Sequence, residues 1–386
     1  MRKLRDGSAA LALLGLLLPQ PRSLPPRQGP ATWRATEKPI FSVGAVMEPE
    51  DQVFGEVPGA VRLNSGTVVV ADAQAGELRY FDPERRLLHR VGRRGQGPRE
   101  FIYIAGLARC RGDTLLVLDS RRTFLQAWTP DATFAGTMDL SDLAEHGFAS
   151  PEPGALACND RGTMVFVDRR PSLPEGGGDG PTRSVVPIVV RRADGSLYEL
   201  GEFPGGERYF YRHPGGGSSG PRPLGKRTLV AVGDSLIYVG TGDDYEVALY
   251  SLDGDRVGTL RDSVETRPIT DKLVDAFIDR ILGETEDPAE RRRARSHYEA
   301  LEYPDRTPAY LDMLAGRDGH LWIEAFRLPG APQRWRVYTA DGKRVAAVEM
   351  PPRFRLVEAG DDYLLGVARD DNDVEYVRIY GLVKHT

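Results

Sequence analysis

One sequence pattern recurs six times along this chain: an apolar strand segment ends in a tight turn rich in Asp, Pro or Gly, and another strand follows. A unit of short strands cannot bury its apolar faces alone, so neighbouring units must stack. With 386 residues, 40% hydrophobic and 28% charged, the chain is long enough for one large core. The repeat therefore predicts a single closed array. Its six occurrences begin at Leu78, Leu125, Val189, Val247, Trp335 and Val377.

The strand segments divide into six units, of which the first five have four strands each. The sixth, from Phe354 to Leu382, has only three. The segment Pro39–Val46 is strand-like and has no place in the first unit, so we predict that it completes the sixth and closes the ring. The expected fold is an all-β, six-bladed β-propeller. The predicted units cover residues 60–91, 104–138, 155–203, 227–261, 310–350 and 354–382.

One segment breaks the strand pattern. After Thr270, apolar residues recur at spacings of one, three and four, which is typical of one helix face. Pro288 opens a second helix that continues to about Leu301. We predict a two-helix insertion over about residues 268–302, between blades 4 and 5. It is either a lid over the central channel or, the interpretation that we favour, an insertion packed on one rim.

The N-terminus predicts export. Basic residues precede an apolar run from Ala9 to Leu18 that is short for a membrane span. We predict a signal peptide over residues 1–24, a linker over 25–37 and the propeller over 38–384, with an uncleaved anchor as the alternative. No other segment is apolar enough to cross a membrane. The mature protein is expected in the periplasm or outside the cell.

The charge of the chain excludes one class of partner. The formal net charge is −5, and residues 1–24 hold four basic residues and one acidic residue, so the rest carries −8. An acidic surface repels phosphate backbones, so nucleic acid is not an expected partner. We expect a monomer.

Two cysteines, Cys110 and Cys158, end the first strands of consecutive units. Export would allow them to oxidise if the adjacent blades approach closely. We favour two unpaired core cysteines, because the spacing between blades often exceeds the reach of a disulfide.

Two groups of side chains are candidates for a site. Tyr209, Tyr211 and His213 precede the glycine-rich run Gly215–Gly220, so the loop 204–226 is either a binding loop or a set of packed aromatics followed by a flexible tether. The long loop Pro171–Pro187 is a further candidate for binding. A second group, Asp72, Asp119 and Asp168, recurs at the ends of second strands. These carboxylates can bind a cation, but we favour a role as acceptors in the turns that follow.

No catalytic signature stands out. There is no Gly-x-Ser-x-Gly elbow and no phosphate-binding loop, and none of the six histidines has metal-ligand spacing to another.

The segment Gly92–Phe101 reads Gly-Arg-Arg-Gly-Gln-Gly-Pro-Arg-Glu-Phe and follows a Val-Ala-Asp strand end and a Leu-x-x-Phe-Asp strand. It resembles the blade-to-blade link of six-bladed β-propellers of the NHL-like group, which are common among exported bacterial proteins. The resemblance covers residues 55–140 and continues in phase to the C-terminus. It implies a ring fold. Some similar propellers bind proteins or glycans through loops on one face, and others are lyases or lactonases with a metal at the channel.

Two functions are therefore expected as alternatives. The first, which we favour, is an exported binding or scaffold module without a cofactor that recognises a protein or glycan through loops on one face. The second is a metal-assisted hydrolase or lyase, lactonase-like, that acts at the channel mouth with calcium or another divalent metal. We cannot place a lactonase-type Glu/Asn/Asp ligand set on numbered positions of this chain, so we favour a protein that is not an enzyme.

Overall fold

A computed structural model describes residues 31–384, except residues 48, 149–154, 169–177, 214–215, 265, 284 and 286. The signal peptide expected at 1–24, residues 25–30 of the expected linker and residues 171–177 of the loop 171–187 lie outside the described residues. The described residues form 28 strands and two α-helices, with short 3-10 turns at Glu50–Gln52, Arg111–Asp113 and Ser141–His146. In these residues, no helix combines the length and the apolar character that a membrane crossing requires.

The elements follow the chain in this order: β1 (Ala31–Ala35), β2 (Phe41–Val43), β3 (Ala60–Arg62), β4 (Val68–Asp72), β5 (Glu77–Phe81), β6 (Leu87–Val91), β7 (Ile104–Arg109), β8 (Leu115–Asp119), β9 (Phe124–Trp128), β10 (Phe134–Asp139), β11 (Ala155–Cys158), β12 (Met164–Val167), β13 (Gly180–Thr182), β14 (Val185–Arg191), β15 (Leu197–Pro204), β16 (Arg208–His213), β17 (Gly216–Pro221), β18 (Leu229–Val232), β19 (Leu236–Gly240), β20 (Glu246–Ser251), β21 (Arg256–Arg261), α1 (Asp271–Ile281), α2 (Pro288–Glu299), β22 (Tyr310–Ala315), β23 (Leu321–Ala325), β24 (Arg334–Tyr338), β25 (Arg344–Glu349), β26 (Phe354–Ala359), β27 (Tyr363–Arg369) and β28 (Glu375–Lys384).

Six antiparallel units form a ring, and the predicted β-propeller is confirmed. Blades 1 to 5 are β3–β6, β7–β10, β11–β12–β14–β15, β18–β21 and β22–β25, and blade 6 contains β26–β28. The described residues bury six apolar clusters, each shared by two neighbouring blades. The second strand of a blade is covered on both faces, so all five residues of β4 and all five of β8 are buried. Stacking of neighbours is therefore what buries each unit.

The link Gly92–Phe101 shows how a turn positions one blade on the next. Gly92 has a φ of 85°, and a Cβ there would lie 2.7 Å from a ring carbon of Phe101, so both the backbone conformation and the space require glycine. Phe101 is fully buried between blades 1 and 2.

The N-terminal segment closes the ring. As predicted, β2 joins blade 6 as its fourth strand, and Phe41, Ser42 and Val43 pair with Ile379, Arg378 and Val377. The linker expected at residues 25–37 is wrong for residues 31–35, because these form β1. This strand runs parallel to β25 of blade 5 and antiparallel to the end of β28. Trp33 explains why this segment is a strand and not a linker. Its ring is buried between two blades, which orders the segment although its composition is typical of a linker.

Both long insertions are ordered where the structure describes them. The two helices lie where the apolar spacing predicted them. Residues 180–221 contribute β13, β16 and β17, which form a separate three-stranded sheet. The flexible tether predicted for Gly215–Gly220 is therefore wrong for residues 216–220: the run forms β17, because β16 satisfies its backbone hydrogen bonds residue by residue from Arg208 to His213.

The cysteines are paired, contrary to the interpretation that we favoured from the sequence. Cys110 and Cys158 form a disulfide between blades 2 and 3, with a Cα–Cα distance of 5.2 Å. The first strands of neighbouring blades approach most closely beside the central channel, where both cysteines lie, so the spacing at this radius permits the bond.

Candidate functional site

The two ends of the ring differ. The first strands of the blades line the channel side by side, and each blade is an antiparallel meander. The connections between blades, and those between second and third strands, therefore emerge on one face, which we call the insertion face because it holds α1, α2 and the sheet β13–β16–β17. The connections between first and second strands emerge on the opposite face, which we call the cysteine face because Cys110 and Cys158 lie there.

Side chains on the cysteine face join the blades to one another. In addition to the disulfide, polar contacts connect blade 1 with blades 2 and 5, blade 2 with blade 3, and blade 3 with blade 4. Because these contacts are made within the protein, we expect this face to be rigid. The contacts are Asn64 N–H to Asp113 Oδ2 (2.7 Å), Arg317 Nη1 to the Arg62 carbonyl (2.9 Å), Arg109 Nη1 to Asp160 Oδ1 (2.6 Å) and Asn159 Nδ2 to the Gly233 carbonyl (2.8 Å).

The channel between the faces is narrow and charged. It encloses a cavity of about 350 Å³ whose lining includes Arg109, Arg317 and Glu358 near the cysteine face. Burial raises the pKa of Glu358 above its usual value, although Tyr363 donates a hydrogen bond to it and Arg317 lies 3.7 Å away. At the insertion face, Asp312 and Arg355 line both the channel and a second, larger space.

That larger space is a groove of about 920 Å³ on the insertion face, and it is the candidate functional site. Its volume lies in the range of ligand-binding sites in proteins, roughly 300–1,000 Å³. The loops after β23 and β27 and the link between blades 5 and 6 form its walls, and Arg280 from the last turn of α1 completes them. Its apolar lining includes Ala331, Pro332, Met350 and Pro352.

The groove has an unusual balance of charges. Five arginines and five carboxylates line it, and every one of the five carboxylates has an arginine partner. None of these five carboxylates forms an ion pair with Arg280 or Arg355. In the described residues, two arginines of the lining are therefore left without a carboxylate partner. The pairs are Asp312–Arg227 (3.6 Å), Glu324–Arg327 (3.3 Å), Glu349–Arg334 (3.2 Å), Glu375–Arg369 (2.8 Å) and Asp373–Arg353.

Arg355 is held at the base of the groove by backbone carbonyls. Its Nη2 donates to the Val57 carbonyl at 2.7 Å, and its Nη1 to the Pro58 carbonyl at 3.4 Å. Partial desolvation of the guanidinium lowers the pKa of Arg355, although Glu375 and Asp312 attract its charge. Glu324, in contrast, is buried, with 7% of its surface exposed, and burial raises its pKa. A cleft whose charged groups have shifted pKa values is typical of a functional site.

The predicted aspartates occupy turns. Asp72 accepts hydrogen bonds from the N–H groups of Gln74 and Ala75, and Asp119 accepts from Ile102 at 2.7 Å and Arg121 at 3.0 Å. Asp168 directly follows β12, and its backbone N–H donates to the Pro187 carbonyl. The described residues contain no group of three or more His, Cys, Asp or Glu side chains placed to hold a metal ion. A cation at these aspartates stays a prediction.

The predicted aromatics belong to the insertions. The Tyr209 and Tyr211 rings lie 4.9 Å apart, and Tyr211 packs against His297 of α2 at 5.5 Å. This contact joins the three-stranded sheet to the helices. His213 ends β16, where it pairs with Gly216, and its side chain lies outside the described residues. A role of these three residues in binding stays a prediction.

The chain is similar in structure, but not in sequence, to solved proteins. No protein-family model matches the chain, and no curated protein matches it by sequence. A member of the DUF4221 family from Bacteroides vulgatus superposes with a TM-score of 0.51 at 10% identity and covers 92% of this chain and 100% of its own. A Bacteroides fragilis protein described as exported has a TM-score of 0.47 at 10% identity, over 92% of this chain and 96% of its own. A gluconolactonase from Xanthomonas campestris has a TM-score of 0.43 at 12% identity, over 92% and 98%.

Sequence reasoning missed the groove. Its residues come from α1, from three separate connections and from two blades, so no motif joins them. Arg280 stood in a predicted helix as an ordinary polar residue, and Arg355 stood in a predicted strand. An arginine in the inner strand of a blade was the one signal that could have been noticed, because that position faces the channel.

Proposed function

We propose that this protein is an exported, NHL-like, six-bladed propeller that acts as a binding module, without a cofactor, and holds a segment of a protein ligand in the groove between blades 5 and 6. The observation that carries the proposal is the groove itself: a cavity of about 920 Å³, already formed, on the face that holds both insertions. Ligand sites are usually preformed clefts with an apolar lining and a few placed polar groups.

The lining favours a protein segment over a glycan. A sugar ring packs its C–H face on an exposed aromatic ring, and the aromatic residue of this lining, Phe354, is 2% exposed. Pro332 and Pro352 instead offer exposed apolar surface to the side chains of a peptide. The polar cysteine face is occupied by contacts between blades, which leaves the insertion face for a partner.

A blocked groove tests the proposal. Ala331→Trp places a large side chain in the groove, in the surface connection after β23. The matched control is Ser235→Trp, in an exposed turn on the cysteine face. Peptides selected from a displayed random library on the unmodified protein are expected to bind the Ser235→Trp variant equally and the Ala331→Trp variant at least about tenfold more weakly. Equal binding to both variants, or no selected peptide, would refute the proposal.

A further inference from the structure

The charges in the groove restrict the ligand. Three ion pairs lie wholly within the lining, and the two remaining carboxylates, Asp312 and Glu349, are paired with arginines outside it. Counted over the described residues, the lining side chains and the two outside arginines therefore carry two positive charges in excess, on Arg280 and Arg355. These two groups belong to different elements, one to the helical insertion and one to the inner strand of blade 6.

The two arginines are placed for different roles. Arg355 is exposed on the inner strand of blade 6, and its guanidinium bonds to carbonyl oxygens, which satisfy hydrogen bonds without neutralising the charge. A ligand anion is favoured at such a site, because hydrogen bonds between a guanidinium and a carboxylate are stronger than those between neutral groups. Arg280 is exposed on the groove wall, and the described residues include no side chain that pairs with it. Its exposed guanidinium can contact a ligand group in the groove.

We propose that the groove recognises an acidic protein segment, with a carboxylate of the ligand bound between Arg280 and Arg355. This inference rests on the proposed function and specifies its ligand. Arginine suits the role because its planar guanidinium binds a carboxylate through two parallel hydrogen bonds. The helical insertion then serves as one wall of the site, since it supplies Arg280.

The test uses defined probes and a matched pair of variants. The probes are synthetic peptides in two forms, with Glu and Asp or with Gln and Asn at the same positions, and a set of acidic oligosaccharides. The variants are Arg280→Gln and, as control, Arg161→Gln, an exposed arginine on the cysteine face whose side chain has no partner in the described residues. Both sites are exposed, so both variants are expected to fold. Arg355→Lys, which keeps the charge but not the planar fork, provides a third measurement.

The expected result is that the acidic peptides bind at least about tenfold more tightly than their amide forms, and that Arg280→Gln removes this preference while Arg161→Gln keeps it. Arg355→Lys should weaken the acidic forms and leave the amide forms unchanged. Peptides that bind in both forms with equal affinity would overturn this inference and leave the proposed function standing. If no peptide binds, the proposed function fails as well. Acidic oligosaccharides that bind in an Arg280-dependent manner, without peptide binding, would overturn the choice of a protein ligand.

Discussion

The disulfide gives the most quantitative prediction of the structure. Cys110 and Cys158 are 48 residues apart in sequence, and the bond closes that loop in the unfolded chain. Loop-closure entropy for this length corresponds to about 4 kcal/mol at 25 °C, most of which acts by restricting the unfolded state. Cys110 is buried in the apolar cluster between blades 2 and 3, so alanine is a better replacement than serine. The double variant Cys110→Ala/Cys158→Ala is therefore expected to lose about 3–4 kcal/mol of unfolding free energy.

The assay is equilibrium unfolding in urea, followed by tryptophan fluorescence, under oxidising and reducing conditions. The oxidised protein should unfold at a higher urea concentration than the reduced protein. The double variant should unfold near the reduced protein and should not respond to reductant, which separates the bond from other effects of the reagent. A difference below about 1 kcal/mol between the oxidised protein and the double variant would refute the reasoning, because the loop-closure model would then fail by several-fold.

Three further predictions concern the closure of the ring by β1, the turn at Asp119 and the ion pairs of Asp318. Trp33→Ala should cost about 3–5 kcal/mol in urea unfolding, because the ring is 8% exposed between blades 5 and 6, and an unchanged midpoint would show that β1 contributes nothing to closure. Asp119→Ala should lower the melting temperature equally with and without added calcium, since it removes the acceptor for the Ile102 and Arg121 N–H groups. A lower melting temperature that is seen only in the presence of calcium would favour a cation site instead. Burial tends to raise the pKa of Asp318, but His320 and Lys384 hold this pKa below its usual value. The Asp318 carboxylate therefore stabilises the folded protein fully above about pH 4, and this stabilisation is lost as pH falls through the lowered pKa. Asp318→Asn should accordingly be less stable than the unmodified protein at pH 7, by a difference that shrinks below pH 4, and a difference that is constant with pH would contradict this sign.

The sequence alone determined the ring and its closure. Strand periodicity and turn chemistry are local properties, and a unit that cannot bury its own faces requires neighbours, so the repeat predicted six stacked blades. Blade 6 lacked one strand in the sequence pattern, and the segment Pro39–Val46 had no place in blade 1. The same reasoning therefore predicted that this segment closes the ring. The helix boundaries near Thr270 and Pro288 followed from apolar spacing and from proline's place in a first helical turn.

Only the tertiary structure decided where the distant parts meet. The disulfide forms because two blades approach closely beside the channel. Strand β1 forms because Trp33 is buried between two blades. Strand β17 forms because β16 pairs with a glycine-rich run that has low strand propensity. The groove depends on charges brought together from five segments, and the excess of Arg280 and Arg355 becomes visible only after each carboxylate is matched to its partner. Pairing of this kind is set by distances in space, which sequence spacing does not contain.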